Sequence, residues 1–236
     1  MKISVCMAAY NGENYIEKQI SSILCQLKPD DELVIVDDCS KDRTINVIKN
    51  FNDSRIKLLK NKFNYGVVAT FERALSVAKG NIIFLSDQDD EWIDNKLSFI
   101  TNFFASNSVD LIVHDAKIIR NGSIISNSLF SEIGSSGGFF KNLYSNSFTG
   151  SCMAFRRDIL NKVLPIPIKK GIFHDAWIGI LAKFYKFKII FIPKTLIIYH
   201  RHNTNVSSMK RRSLYKIIPE RTNLILSLIK RVIYDR

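Results

Sequence analysis

Apolar runs that alternate with amphipathic stretches predict an α/β protein, a mostly parallel central sheet with helices on both faces. Three observations carry this. The strand-like runs are continuously apolar, as strands buried on both faces are; each is followed by apolar residues at helical spacing; and two of them end in paired carboxylates. Residues 3–9 read as the first strand, followed by an Asn11-Gly12 turn and by Tyr15, Gln19, Ser22, Ile23 and Gln26 on one helical face. Residues 32–38 form the second strand and end in Asp37-Asp38; Ser40 then resembles an N-cap for a helix carrying Ile45, Val47, Ile48 and Phe51. A third strand at 56–59, a third helix at 67–78 and a fourth strand at 82–85 follow, with another helix from near Ile93. Beyond these come strand-like segments at 110–119, 148–155 and 197–199, a Gly-Ser-rich connector at 134–138, and a helix opened by Asp175 that carries Trp177, Ile180, Leu181 and Phe184.

The fourth strand delivers Asp87, Asp89 and Asp90 to the point where it ends. Carboxylates in alternate positions, as in Asp87-x-Asp89, can converge on one hard divalent cation such as Mg²⁺ or Mn²⁺. The plainer reading is a solvated acidic turn that caps the next helix. In an open parallel sheet ligands bind beyond the carboxyl ends of the strands, so Asp37, Asp38, Asp87 and Asp89 are expected to meet at one edge.

Composition narrows the function. The 236 residues, 46% apolar and 24% charged, are ordinary for a globular protein with a substantial core. The longest uninterrupted apolar run, residues 5–10, is far short of the roughly 18 residues of a membrane span. The chain opens on a strand-like segment, so no signal peptide is expected. Cys6, Cys25, Cys39 and Cys152 show no CxxC pairing and are read as free, mostly buried thiols of a reducing compartment, hence a cytoplasmic protein. No GxGxxG follows the first strand, no GxSxG offers a nucleophile elbow, and the chain contains no GxxxxGK[ST] or HExxH. Of the net charge of +12, half lies in residues 209–236, where eight basic residues face Glu220 and Asp235; a negatively charged surface is the partner this suggests.

Seven segments in one order resemble family 2 inverting glycosyltransferases of the GT-A fold, within them the bacterial group of rhamnosyl- and related polysaccharide glycosyltransferases. They are Val5-Cys6-Met7-Ala8-Ala9-Tyr10-Asn11-Gly12, Ile35-Val36-Asp37-Asp38-Cys39-Ser40-Lys41-Asp42, Asn64-Tyr65-Gly66-Val67, Leu85-Ser86-Asp87-Gln88-Asp89-Asp90-Glu91-Trp92, Thr149-Gly150-Ser151-Cys152-Met153-Ala154-Phe155-Arg156-Arg157, His174-Asp175-Ala176-Trp177, and Tyr199-His200-Arg201-His202-Asn203-Thr204-Asn205. The family's usual glutamate-aspartate pair is here His174-Asp175, which keeps the aspartate.

The resemblance implies a nucleotide-diphosphate sugar as donor. Ala8, Ala9 and Tyr10 would line the base pocket, Asp37 or Asp38 would accept from the base or ribose, and Asn64 and Gly66 would approach the nucleotide. Asp87 would hold the ribose and share the cation, Mn²⁺ or Mg²⁺, with Asp89, the stronger ligand, and His202. Arg73 is a candidate for a phosphate or a solvated helix arginine, while Asp90 and Trp92 would shape the loop and cap the next helix. Asp175 would be the base on the acceptor hydroxyl, or a helix N-cap, or both; Gly150 and Trp177 fall on the acceptor side, Trp177 as a sugar platform or as core. The acceptor implied is a lipid-linked saccharide at the inner face of the cell membrane. Residues 1–208 would form the GT-A domain, 1–107 its nucleotide-binding half and 108–208 its acceptor half, with 209–236 a basic amphipathic tail. Its stripe of Leu214, Ile217, Ile218, Leu224, Ile225, Leu228, Ile229, Val232 and Ile233 either docks on the core or lies on anionic lipid, with Pro219 starting or kinking the helix. The alternatives are a nucleotidyltransferase of related fold, which should carry a glycine-rich basic loop that Ala8–Gly12 lacks, and a non-catalytic basic membrane- or nucleic-acid-binding module, which has no use for aligned acids. No nucleic-acid partner is expected.

Overall fold

The computed structural model describes residues 1–135, 142, 146–202 and 214–234. Strands and helices alternate through the first half: β1 (Ile3–Ala9), α1 (Ile16–Leu24), β2 (Glu32–Asp37), α2 (Thr44–Asn50), β3 (Ile56–Lys60), α3 (Val67–Val77) and β4 (Ile82–Asp87). The second half adds β5 (Glu91–Trp92), α4 (Lys96–Ser106), β6 (Leu111–Arg120), β7 (Ser123–Ser126), α5 (Leu129–Ile133), β8 (Met153–Arg156), α6 (Leu160–Val163), α7 (His174–Phe184), β9 (Ile189–Arg201) and α8 (Leu214–Tyr234). One sheet runs β3-β2-β1-β4-β8-β6-β9-β5, with β7 paired to β6. The first four strands in that order are parallel, as continuously apolar runs require. Beyond β4 the sheet is mixed: β8 is antiparallel to β4 and β6, β6 is parallel to β9, and β5 is antiparallel to β9.

Three local expectations are corrected. Ser40 does not cap α2: its hydroxyl accepts from Asn11 N–H, and Asp42 instead takes the N–H of Thr44 at the helix start. The helix expected near Ile93 begins at Lys96, because Glu91 and Trp92 pair with Ile198 and Ile197 of β9 and Ile93 N–H donates to Leu196. Strand β9 is far longer than 197–199 and runs through Pro193. The β6–β9 register slips by two residues there, Ile192 pairing with His114 and Thr195 with Asp115, so the ladder never needs the donor proline lacks.

Of the cysteines, Cys6 and Cys152 are buried and burial pushes their thiols up, but Cys25 is exposed and Cys39 half-exposed. Among the described residues no helix is long and apolar enough to cross a membrane. Of the Gly-Ser-rich connector, 136–138 lie outside the described residues, as do 203–205, 209–212 and 236.

The C-terminal helix α8 is continuous through Pro219 and docks on the body of the protein. Leu224 is fully buried, Asn223 donates to the carbonyl of Lys170, and the Arg231 guanidinium donates to the carbonyls of Leu164 and Pro165 while lying 5.9 Å above the Trp177 ring. Packing of this kind sustains a helix that propensity alone would break at proline. Leu224→Ala is expected to remove about 2–5 kcal/mol, a drop in Tm of at least about 4 °C in thermal unfolding; an unchanged Tm would mean that α8 is not anchored here.

Candidate active site

The parallel register assembles the site. Ala9 sits beside Asp37 and Ala8 beside Asp87, so the carboxyl ends of β1, β2 and β4 open on one cleft of about 1180 Å³. Ala8, Ala9, Tyr10, Asp38, Asn64, Gly66, Asp87, Asp89, Gly150, Asp175 and His202 all line it. Two expected residues do not. Asp37 is wholly buried and accepts from Ser40 N–H; it braces the turn after β2 from below. Trp177 is also wholly buried, its indole N–H donating 2.8 Å to Val163, which leaves no ring face for a sugar: of its two readings the structure takes core.

On the β1–β2 side, Asp38 organises a loop. One oxygen accepts from Asn61 Nδ2 and Tyr65 N–H, the other from Gly66 N–H. Gly66 has φ +85° with nothing near a hypothetical side chain, so the backbone conformation, not a close neighbour, requires glycine. Arg73 is exposed, its Nη1 donates to Lys60 O and Asn61 Oδ1, both at 2.6 Å, and it is not among the residues that line the cleft.

Gln88, between the two acids of Asp87-x-Asp89, was not singled out by sequence reasoning. Its amide accepts from Tyr10 N–H and donates to Tyr10 O, both at 2.9 Å, clamping the end of β1 to the end of β4. Gly12 makes room for it: a Cβ there would fall 2.2 Å from Gln88 Oε1. Both residues stand inside the quoted segments, but only the fold shows that they meet.

The acids lie in a poorly solvated setting. Burial pushes the Asp87 carboxyl up to about 7, and the charges of Asp89 and Asp175 add to it. Asp89 Oδ2 is 2.8 Å from His202 Nε2, and the His202 ring stacks on Tyr15 with centroids 4.4 Å apart. Asp90 caps nothing: both oxygens are buried without a hydrogen-bond partner, and burial with neighbouring Asp89 and Asp87 holds the group well above the usual carboxylate range. A second residue overlooked in the sequence is Lys96. It is wholly buried, donates to Ser151 O at 3.0 Å, lies 4.2 Å from the Trp92 ring centre, and is pulled down to about 7 by burial. Nothing in the sequence separates it from a solvated helix lysine.

Asp175 lies in the first turn of α7, whose N-cap is Phe173, so it is not the cap. It nonetheless accepts from Ala176 N–H at 2.6 Å, and burial raises it to about 6. Its neighbour His174 stacks on Phe71 with centroids 3.9 Å apart, is pushed down to about 3 by burial, and has no hydrogen-bond partner on either nitrogen. Gly150 is what admits it, since a Cβ there would meet His174 Nε2 at 2.8 Å. His200 faces Glu91 at 3.7 Å, and His114 is buried with Nδ1 on Asp115 O.

Residues 4–164 match the family model described as glycosyl transferase family 2. The chain belongs to that family. Asp175 and His202 lie beyond the matched residues and are placed by geometry alone. Among curated relatives, the Escherichia coli UDP-Glc:alpha-D-GlcNAc-diphosphoundecaprenol beta-1,3-glucosyltransferase WfgD is 38% identical over 52% of this chain and 49% of its own length. WfaP of the same organism, with the same printed activity, is 29% identical over 91% of this chain and 83% of its own. The chain thus spans about half the length of WfgD. Staphylococcus aureus TarS 1-349 in complex with UDP-GlcNAc superposes with a TM-score of 0.72 at 21% identity, covering 91% of this chain and 62% of that one. A mannosyltransferase of Pyrobaculum calidifontis in complex with GDP-Man and Mn2+ gives 0.65 at 19%, covering 86% and 58%. These likenesses establish the GT-A fold.

The clamp yields a double-mutant test. Gly12→Ala should destabilise by about 1–3 kcal/mol through overpacking, and Gln88→Ala should lose two hydrogen bonds of about 1 kcal/mol each. Together they should cost clearly less than the sum in thermal unfolding, because the added methyl then meets empty space; strict additivity would contradict the contact.

Proposed function

We propose that this family 2 enzyme is an inverting glycosyltransferase that moves a sugar from a UDP- or dTDP-sugar to a hydroxyl of a lipid-linked saccharide in bacterial surface polysaccharide synthesis. The reading rests on the meeting, in one cleft, of the β4-end acids with Asp175. It is supported by the activity printed for WfgD and WfaP and by the UDP-GlcNAc complex of TarS. Residues 1–107 supply the donor half and 108–208 the acceptor half, working at the inner face of the cell membrane.

Tyr10, 43% exposed at the end of β1, offers a ring for the base, and the Ala8–Ala9 backbone an edge for it. Asp38 holds the loop of Asn64 and Gly66 against the ribose. The residues fit a divalent cation: a carboxylate and an imidazole nitrogen, Asp89 and His202, converge beside Asp87, whose carboxyl also feels the charges of Asp89 and Asp175. Among the described residues no three such side chains form a complete metal site, which leaves the remaining positions to donor phosphates and water. Bound there, Mn²⁺ or Mg²⁺ would neutralise charge on the leaving diphosphate.

Asp175 accepts the proton of the acceptor hydroxyl as that oxygen forms its bond to the anomeric carbon. The bond from that carbon to the diphosphate breaks on the opposite side, the nucleoside diphosphate leaves, and the anomeric configuration inverts. A carboxyl near 6 is ionised at neutral pH yet basic enough to share a proton in the transition state.

Asp175→Asn keeps an acceptor for Ala176 N–H but cannot take the proton, so transfer should fall by at least roughly 10²-fold. The folded-state pKa of Asp175 is raised, so its ionised form opposes folding at every pH above its unfolded value. At pH 8 the variant should therefore be at least as stable as the parent, and the parent's transfer rate should fall as pH drops through about 6. Near-normal turnover in the variant would place the base elsewhere.

Asp89→Asn should abolish Mn²⁺-dependent binding of the nucleotide-sugar in calorimetric titration while the far-UV spectrum is unchanged. Affinity indifferent to both chelator and substitution would remove the cation from the scheme.

A further inference from the structure

Helix α8 has two apolar faces, and docking uses only one of them. Leu224 and Ser227 are buried, and Leu228 and Arg231 half-buried, on the side that meets the protein. On the other side Ile218, Ile225, Leu226, Ile229 and Ile233 are 63%, 43%, 50%, 49% and 62% exposed. They recur at seven-, eight- and eleven-residue steps from Ile218, which keeps them within one face of the cylinder. Phe184, at the end of α7, extends this surface and forms with Ile225, Ile229 and Ile233 a groove of about 280 Å³ that has no polar lining. Single exposed aliphatics are ordinary; a continuous strip of them marks an interaction surface.

The charges beside the strip decide what covers it. Lys230 stands exposed on its flank, and Lys169 and Lys170 are exposed where Asn223 ties the helix to the Lys170 carbonyl. The only acid in α8, Glu220, is folded against Gly171. The residues leading into the helix include Lys210, Arg211 and Arg212. Arg231 does not contribute, because its guanidinium is engaged with the carbonyls of Leu164 and Pro165. An aliphatic strip with cationic margins is the pattern of a helix lying in the plane of a negatively charged bilayer.

We propose that the outward face of α8 binds an anionic phospholipid bilayer, with Ile218, Ile225, Leu226, Ile229 and Ile233 entering the headgroup–acyl boundary and Lys230 contacting lipid phosphates. The surface does not depend on which sugar is transferred. It deepens the proposed function by holding the enzyme in the plane of a lipid-linked acceptor, and its test reads lipid binding alone, so a failed transfer assay and a failed surface are told apart.

The test is co-sedimentation of the full chain with vesicles of phosphatidylcholine, with and without phosphatidylglycerol. Binding should require phosphatidylglycerol and weaken with salt. Leu226→Asp with Ile229→Asp should cut the partition coefficient at least tenfold without changing Tm or donor hydrolysis, and Lys230→Glu should cut it at least about fivefold. Should the double variant fail to fold, Ile229→Gln, a milder change on the same strip, should still weaken binding. Equal partition of parent and strip variants, or binding indifferent to phosphatidylglycerol, overturns the proposal. So does a dimer of the parent that the strip variants dissociate while neither binds vesicles, since the strip would then be an interface between copies.

Discussion

Like-charge repulsion in a poorly solvated cleft is the constraint around which this molecule is arranged. Asp87, Asp90 and Asp175 are all raised by burial, and Asp89 adds its charge to both neighbours. Left to itself such a cluster would spread into solvent. It is held by covalent and ladder geometry: Asp87 is the last residue of β4, in register with Ala8, and Asp175 is locked in the first turn of α7. Lys96 lies beneath as the buried cation whose field partly offsets Asp87 and Asp90.

Much of this was legible in the chain. Continuous apolar runs identified β1, β2 and β4 to within two residues, because a strand buried on both faces has no polar alternation to blur its ends. Parallel order then obliged the acids at those ends to meet. What the sequence could not show were partnerships between segments. Asp37 and Asp38 are adjacent and chemically alike, yet one braces a turn from below and the other opens on the cleft. Arg73 and Lys96 are both helix cations in the sequence, and only the fold reveals that one is exposed with Nη1 on Lys60 O and Asn61 Oδ1 while the other is sealed under the site. Trp177 fits a sugar platform and a core filler equally well until Val163 claims its N–H.

The same limit explains the C-terminal helix. A hydropathy stripe of this width was read as one face with two possible destinations, protein or lipid. In the structure that stripe is divided around the cylinder, with Leu224 turned inward and Ile225, the next residue, exposed. Charge counting misleads in the same way, since Arg231 adds to the sequence total but is withdrawn from the surface by its carbonyl partners.

The pairing of Asp89 with His202 spans 113 residues, and His202 also stacks on Tyr15, the residue before α1. A ribosome releases these groups at widely separated times. Until His202 has emerged, the nascent chain presents the acidic end of β4 without its imidazole partner, although Tyr15 is already made. The acidic end of β4 is thus completed by a partner made 113 residues after it.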